Sequence, residues 1–141
     1  MDNELIIKMS AIMIDCKDPN ELANFYAALV KWEVVFFDEE YAVIAPPDTS
    51  QGTYPSITFQ HNPNYTPPTW TDEPNAHQQM AHIDFCVNDL EKAVEYAISC
   101  GATIASKQFS DRWKVMFDPE GHPFCLVLQK GLIESEGFAL R

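Results

Sequence analysis

The chain has 141 residues, 46% of them hydrophobic and 21% charged, which suits one folded domain and argues against wholesale disorder. Nine Lys and Arg stand against 21 Asp and Glu, a formal charge of −12; such a surface repels phosphate backbones and argues against a nucleic-acid partner. No run approaches the roughly 18 apolar residues of a membrane span, and the acidic start Met1-Asp2-Asn3-Glu4 lacks the basic and apolar regions of a signal peptide. A cytoplasmic protein without a membrane partner is expected.

Residues 6–16 (IIKMSAIMIDC) are rich in β-branched and apolar groups and predict a first strand. Asp18-Pro19-Asn20-Glu21 then opens a helix over 19–29: Asp18 can cap, Pro19 suits the first helical position, and Glu21 falls three residues after the cap. Leu22, Phe25, Tyr26 and Leu29 follow at helical spacing and form one apolar face. Strands over 33–37, 41–45 and 56–60 come next, punctuated by Pro46-Pro47 and Gly52. Residues 62–78 hold Pro63, Pro67, Pro68 and Pro74 among polar groups and read as an extended linker.

The second half repeats the first. A strand over 79–87 leads to a helix over 90–99, capped by Asp89 and closed at Cys100-Gly101. Strands over 103–107, 112–117 and 123–129 complete it, with Asp118-Pro119-Glu120-Gly121 as the turn between the last two. Both halves run β-α-β-β-β, and neither can bury its sheet alone. The expected fold class is α+β: two βαβββ modules, about 6–61 and 79–129, form a curved eight-stranded sheet around a cup. They share one domain over 1–141 with a tail at 130–141.

Strand alternation sorts the side chains. Ile12 and Ile14 oppose Ala11, Met13 and Asp15, and Ile57 with Phe59 opposes Ser56, Thr58 and Gln60. Ile83, Phe85 and Val87 oppose His82, Asp84 and Cys86, and Phe124, Leu126 and Leu128 oppose Cys125, Val127 and Gln129. One face of each strand suits burial under a helix. The other carries polar groups together with Met13, Phe109 and Val127, which suit open water poorly, so it is expected to line the cup. Cys16, Cys86, Cys100 and Cys125 are widely spaced without a C-x-x-C pair, and read as reduced cysteines rather than a disulfide framework.

Phe59-Gln60, Pro67-Pro68-Thr69-Trp70, Gln78-Gln79-Met80-Ala81-His82-Ile83-Asp84-Phe85, Asp89-Leu90, Gly101-Ala102-Thr103 and the stretch from Asp118-Pro119-Glu120-Gly121-His122-Pro123 to Val127 follow in order. In this order and spacing the chain, from about 10 to 129, resembles the glyoxalase-like branch of the vicinal-oxygen-chelate superfamily. That superfamily includes glyoxalase I, bleomycin-resistance proteins and extradiol dioxygenases. The resemblance implies paired βαβββ modules, usually in dimers. Its metal-using members place four ligands at positions that match Ala11, Gln60, His82 and Cys125. Ala11 ligates nothing, Gln60 is a weak neutral donor, and Cys125 stands where Glu is usual, so neither metal nor cofactor is expected.

Gln60, His82, Asp84, Arg112 and Cys125 are the expected substrate-binding residues. His82 is either a ligand contact or general base, or a leftover hydrogen-bonding histidine. Cys125 with His82 has the ingredients of a nucleophile, although most such cysteines only pack. Arg112 and Lys114 face the cup under one strand parity and solvent under the other, and the sequence leaves both open. Trp70 is either a lid or a staple for the linker, with the staple preferred. Two functions follow: a metal-independent small-molecule binder of the bleomycin-binding kind, or a lyase or isomerase acting through His82. A homodimer is expected, with Leu132, Ile133, Phe138 and Leu140 of the tail at the subunit interface.

Overall fold

The computed structural model describes residues 4–47, 55–70 and 74–131. The tail residues 132–141, expected at an interface, lie outside the described residues. The chain separates into two compact units that meet between Tyr65 and Thr66, inside the predicted linker. The first unit holds β1 (Ala11–Cys16), α1 (Pro19–Val30), β2 (Glu33–Phe37), β3 (Tyr41–Ala45) and β4 (Ser56–His61). The second holds β5 (Ile83–Val87), α2 (Leu90–Cys100), β6 (Thr103–Ile104), β7 (Trp113–Phe117) and β8 (Pro123–Leu128). Each unit is therefore a βαβββ module, and the eight strands hydrogen-bond as two open four-stranded sheets ordered β1-β4-β3-β2 and β5-β8-β7-β6. The first and last strands of each module run parallel, and the remaining neighbours are antiparallel.

Helix α1 begins as its residues dictate. Asp18 Oδ1 accepts the Glu21 N–H at 3.1 Å, and Pro19 needs no partner for an absent N–H. The helix ends at Lys31, whose φ of 61° lies in the left-handed region, and Trp32 donates back to the Ala27 carbonyl. Leu22, Phe25 and Tyr26 are buried beneath it, as their spacing predicts. The Tyr26 ring stacks on Phe59 at 5.5 Å and meets the edge of Phe25 at 4.8 Å, with Ile44 and Ile57 closing this core. In the second unit Asp89 caps α2 through the Lys92 N–H, and Gly101 ends it with φ 122°. Phe124, Leu126 and Met116 form the core, with Phe85 edge-on to Phe124 at 5.9 Å.

Several strands are shorter than their apolar runs, each for a local reason. β1 starts at Ala11, not at residue 6, because Ala11 already faces Ser56, the first residue of β4. β5 starts at Ile83, opposite Phe124, because the next partner residue, Pro123, has no N–H to offer a ladder. β6 stops at Ile104, where a strand to 107 is predicted. Gln108 takes the place of the missing neighbour: its Oε1 accepts the Val115 N–H and its Nε2 donates to the Val115 carbonyl, both at 2.9 Å.

The predicted extended linker instead returns alongside itself in a parallel bridge between Thr69 and Gln78. Thr69 N–H donates to the His77 carbonyl at 2.7 Å, and Gln79 N–H to the Thr69 carbonyl at 3.1 Å. Pro67 of this loop rests on Gly121, where φ is 91° and an added Cβ would fall 2.7 Å from the Pro67 Cβ. The turn under it is caged by buried Asp118, whose Oδ1 accepts the N–H groups of Glu120 and His122, while His122 Nδ1 lies 2.8 Å from Oδ2.

Phe59 is fully buried with its ring stacked on Tyr26, and truncation leaves a cavity in this core. Phe59→Ala is expected to cost about 3–5 kcal/mol of stability, seen as a large fall in the urea midpoint without loss of the folded baseline.

Candidate functional site

In the second unit, strand register assembles one face. Asp84 of β5 lies opposite Cys125 of β8, and Trp113 of β7 lies opposite Val127 of β8. Directly opposed residues share a face, so these four side chains stand together. His82, just before β5, falls in with Asp84 by alternation. The bridged loop brings Trp70 to them, its ring 4.8 Å from that of His82. Trp70, His82, Asp84, Trp113, Cys125 and Val127 line a cavity of about 340 Å³. Phe109 bridges its two tryptophans, 6.3 Å from Trp70 and stacked on Trp113 at 6.0 Å.

The polar groups here hold one another. His82 Nε2 lies 3.2 Å from Asp84 Oδ1, and His82 Nδ1 lies 3.1 Å from Gln79 Oε1. Cys125 is 2% exposed, and burial, then the Asp84 charge and a hydrogen bond to that carboxylate, push its thiol up to about 12. At neutral pH it is therefore a protonated donor to Asp84 and not a thiolate nucleophile.

Of the predicted site residues, His82, Asp84 and Cys125 come together, each offering one atom within 4.8 Å of the others. Gln60 lies in the first unit, at the end of β4 opposite Asp15. Arg112 is exposed and is not among the lining residues. Because Trp113 faces the cavity, alternation turns Lys114 away from it, and Lys114 lines a separate groove with Glu91, Glu95 and Asp111. Arg112 precedes β7, in a bend. Val127 lines the cavity as its strand face predicts, Trp113 is a lining residue that sequence reasoning did not single out, and Trp70 is part of the wall as well as of the loop.

The two registers also correct one correspondence. Met13 pairs with Thr58 and Asp84 with Cys125. With caps Asp18 and Asp89 as common origin, Met13 matches Asp84, so Cys125 is matched by Thr58, and Gln60 is matched by Val127. The superfamily's metal-ligand pattern thus meets Ala11 and Thr58 in the first module, a methyl group and a buried hydroxyl. In the second module both His82 nitrogens are engaged, and the thiol would have to lose a proton that burial and Asp84 hold in place. The residues present do not fit the superfamily's metal.

Residues 11–127 match the protein-family profile described as glyoxalase-like domain. Among solved structures, the chain is similar to a glyoxalase/bleomycin resistance protein/dioxygenase family enzyme from Burkholderia phytofirmans PsJN, at 15% identity over 86% of this chain and 98% of that one, with a TM-score of 0.64. It is similar to the genomically encoded fosfomycin resistance protein of Listeria monocytogenes, at 14% identity over 90% and 97%, with a TM-score of 0.60. The trypanothione-dependent glyoxalase I of Leishmania major gives 17% identity over 87% of both chains and a TM-score of 0.60. At such identities the likeness carries the fold. Comparison with curated proteins returned no significant match.

A thiol held at about 12 in the folded protein and 9.0 when free favours folding below pH 9.0, and that contribution is lost as pH rises toward 12. The stability difference between the native protein and Cys125→Ser is therefore expected to be constant below pH 9 and to shrink above it. Asp84→Asn removes the charge that holds the proton, so iodoacetamide labelling of Cys125, followed by peptide mapping, is expected to quicken at a given pH.

Proposed function

The chain belongs to the glyoxalase-like domain family, and from that premise we propose that it binds a small organic molecule in the second unit's cavity without a metal. One observation carries this reading. The cavity is walled by apolar rings, while its polar groups, His82, Asp84, Cys125 and Gln79, are bonded among themselves. Its volume of about 340 Å³ falls in the range of about 300–1,000 Å³ usual for ligand pockets. The fold alone does not choose between binding and catalysis.

The second reading, a lyase or isomerase acting through His82, is favoured by the Asp84–His82 pair. A carboxylate that holds one imidazole proton orients the ring and leaves the other nitrogen basic. That other nitrogen is Nδ1, and Gln79 stands 3.1 Å from it, so proton abstraction requires Gln79 to give way. Binding needs no such movement. Cys16, Cys86, Cys100 and Cys125 as thiols fit a reducing, cytoplasmic setting, and no helix among the described residues is long and apolar enough to cross a membrane.

Purified protein is expected to carry no stoichiometric zinc, nickel or iron by elemental analysis, and to gain thermal stability with some members of a small-molecule library. His82→Ala is expected to keep most of that ligand-induced shift. Turnover of a bound compound that disappears in His82→Ala would favour the enzyme reading instead.

We also propose a homodimer. The first sheet ends in edge strand β2, where Val35, Phe36 and Phe37 are all at least half exposed, and an apolar edge invites coverage. Light scattering at micromolar concentration is expected to give twice the 16.0 kDa chain mass, and a value near 16.0 kDa would refute it.

A further inference from the structure

The cavity lining restricts the chemistry of its occupant. Among the described residues that line it, Trp70, Trp113 and Val127 supply apolar surface, and Asp84 supplies the one formal negative charge. Neither Lys nor Arg is among them. Lys114 serves the groove beside α2, Arg112 is exposed in the bend before β7, and Lys107 sits over the Phe109 ring, 5.5 Å from the centroid. An anionic ligand would therefore meet a carboxylate with no lining Lys or Arg to offset it. The whole chain, at −12, adds a field of the same sign that repels anions and gathers cations.

The carboxylate has room for one more donor. Asp84 already faces His82 and Cys125, yet its side chain is 59% exposed, and a carboxylate accepts about four hydrogen bonds. The rings beside it form a continuous series, His82 to Trp70 to Phe109 to Trp113, each fixed against the next. Rings held in this way present flat, electron-rich surface with few rotamers to freeze when a ligand arrives, and such surface attracts both planar rings and cations.

We infer that the cavity takes a planar aromatic molecule bearing a cationic nitrogen, with its ring against Trp70 and Trp113 and its nitrogen on the Asp84 carboxylate. The inference rests on the small-molecule reading above and adds the ligand's class to it.

Four probes of matched size separate ring from charge: naphthylmethylamine, naphthylmethanol, naphthoate and cyclohexylmethylamine. Each is titrated into the full chain by calorimetry, with tryptophan fluorescence reporting the cavity. Naphthylmethylamine is expected to bind at least ~10-fold more tightly than naphthylmethanol, because the charged hydrogen bond adds to the ring contact. Naphthoate and cyclohexylmethylamine are expected to bind more weakly still. Asp84→Asn should bring the amine down toward the alcohol's affinity and cost the alcohol far less, while Trp113→Leu should weaken both; thermal unfolding of each variant confirms that it is folded. Naphthoate binding as tightly as the amine, or an amine preference that survives Asp84→Asn, would overturn the cationic class while leaving the cavity reading intact. Absence of binding by all four would overturn the aromatic class, and a library compound without a ring that still shifts the melting temperature would keep the cavity reading alone.

Discussion

Each module sets its first strand parallel to its last, β1 to β4 and β5 to β8, and most of the architecture follows from that pairing. Parallel neighbours cannot be joined by a tight turn. The chain between them must cross over, and here it does so through a helix and an antiparallel pair of strands. The crossover supplies the helix that covers one sheet face, and the parallel register brings distant residues side by side on the other. Asp84 and Cys125 are neighbours for this reason alone. A shift of one residue would exchange Cys125 for Leu126 and place an aliphatic side chain against the carboxylate.

Around that register the polar groups reach a closed arrangement. A buried thiol, an imidazole and an amide all turn toward each other or toward one carboxylate, so the polar groups that line the cavity lean on their own neighbours. Of these groups Cys125 alone is buried; a buried polar group without a partner is costly, and the Asp84 carboxylate satisfies the thiol without a ligand. The cavity can then be lined largely by carbon surface without forfeiting stability when empty. The same arrangement explains why Cys125, in a position that elsewhere in the superfamily ligates metal, is held as a thiol.

Much of the fold was legible because local chemistry and global pairing agree. Asp18 and Asp89 mark helix starts, and Gly101 marks an end, through groups that act within a turn of themselves. The end at Lys31 carried no such mark, since nothing in a lysine announces a positive φ. Strand limits were less legible because a strand ends where its partner does, and apolar runs say nothing about partners. Gln108 shows the limit plainly: a side-chain amide imitates a neighbouring strand and ends β6 early. At the site, His82, Asp84 and Cys125 were readable from alternation and resemblance. Trp113 was not, because Val115 and Met116 are both fully buried and β7 therefore gives no parity signal. Gln60 was placed two residues from the position that register assigns, an error that only paired strands reveal.

The contact between Pro67 and Gly121 lies outside the cavity lining, yet the loop it supports carries Trp70 into the wall. Its two members differ in how freely they can vary. Gly121 is fixed twice over, by its positive φ and by the absence of space for a methyl group. Pro67 is exposed, with its ring against the glycine. A smaller or larger residue at 67 would let the loop settle or ride higher on an unchanged turn, tilting Trp70 without altering any lining residue. The chain thus has an adjustable shim on a rigid seat, through which a lineage can retune what the cavity admits while its charge and strand register stay as they are.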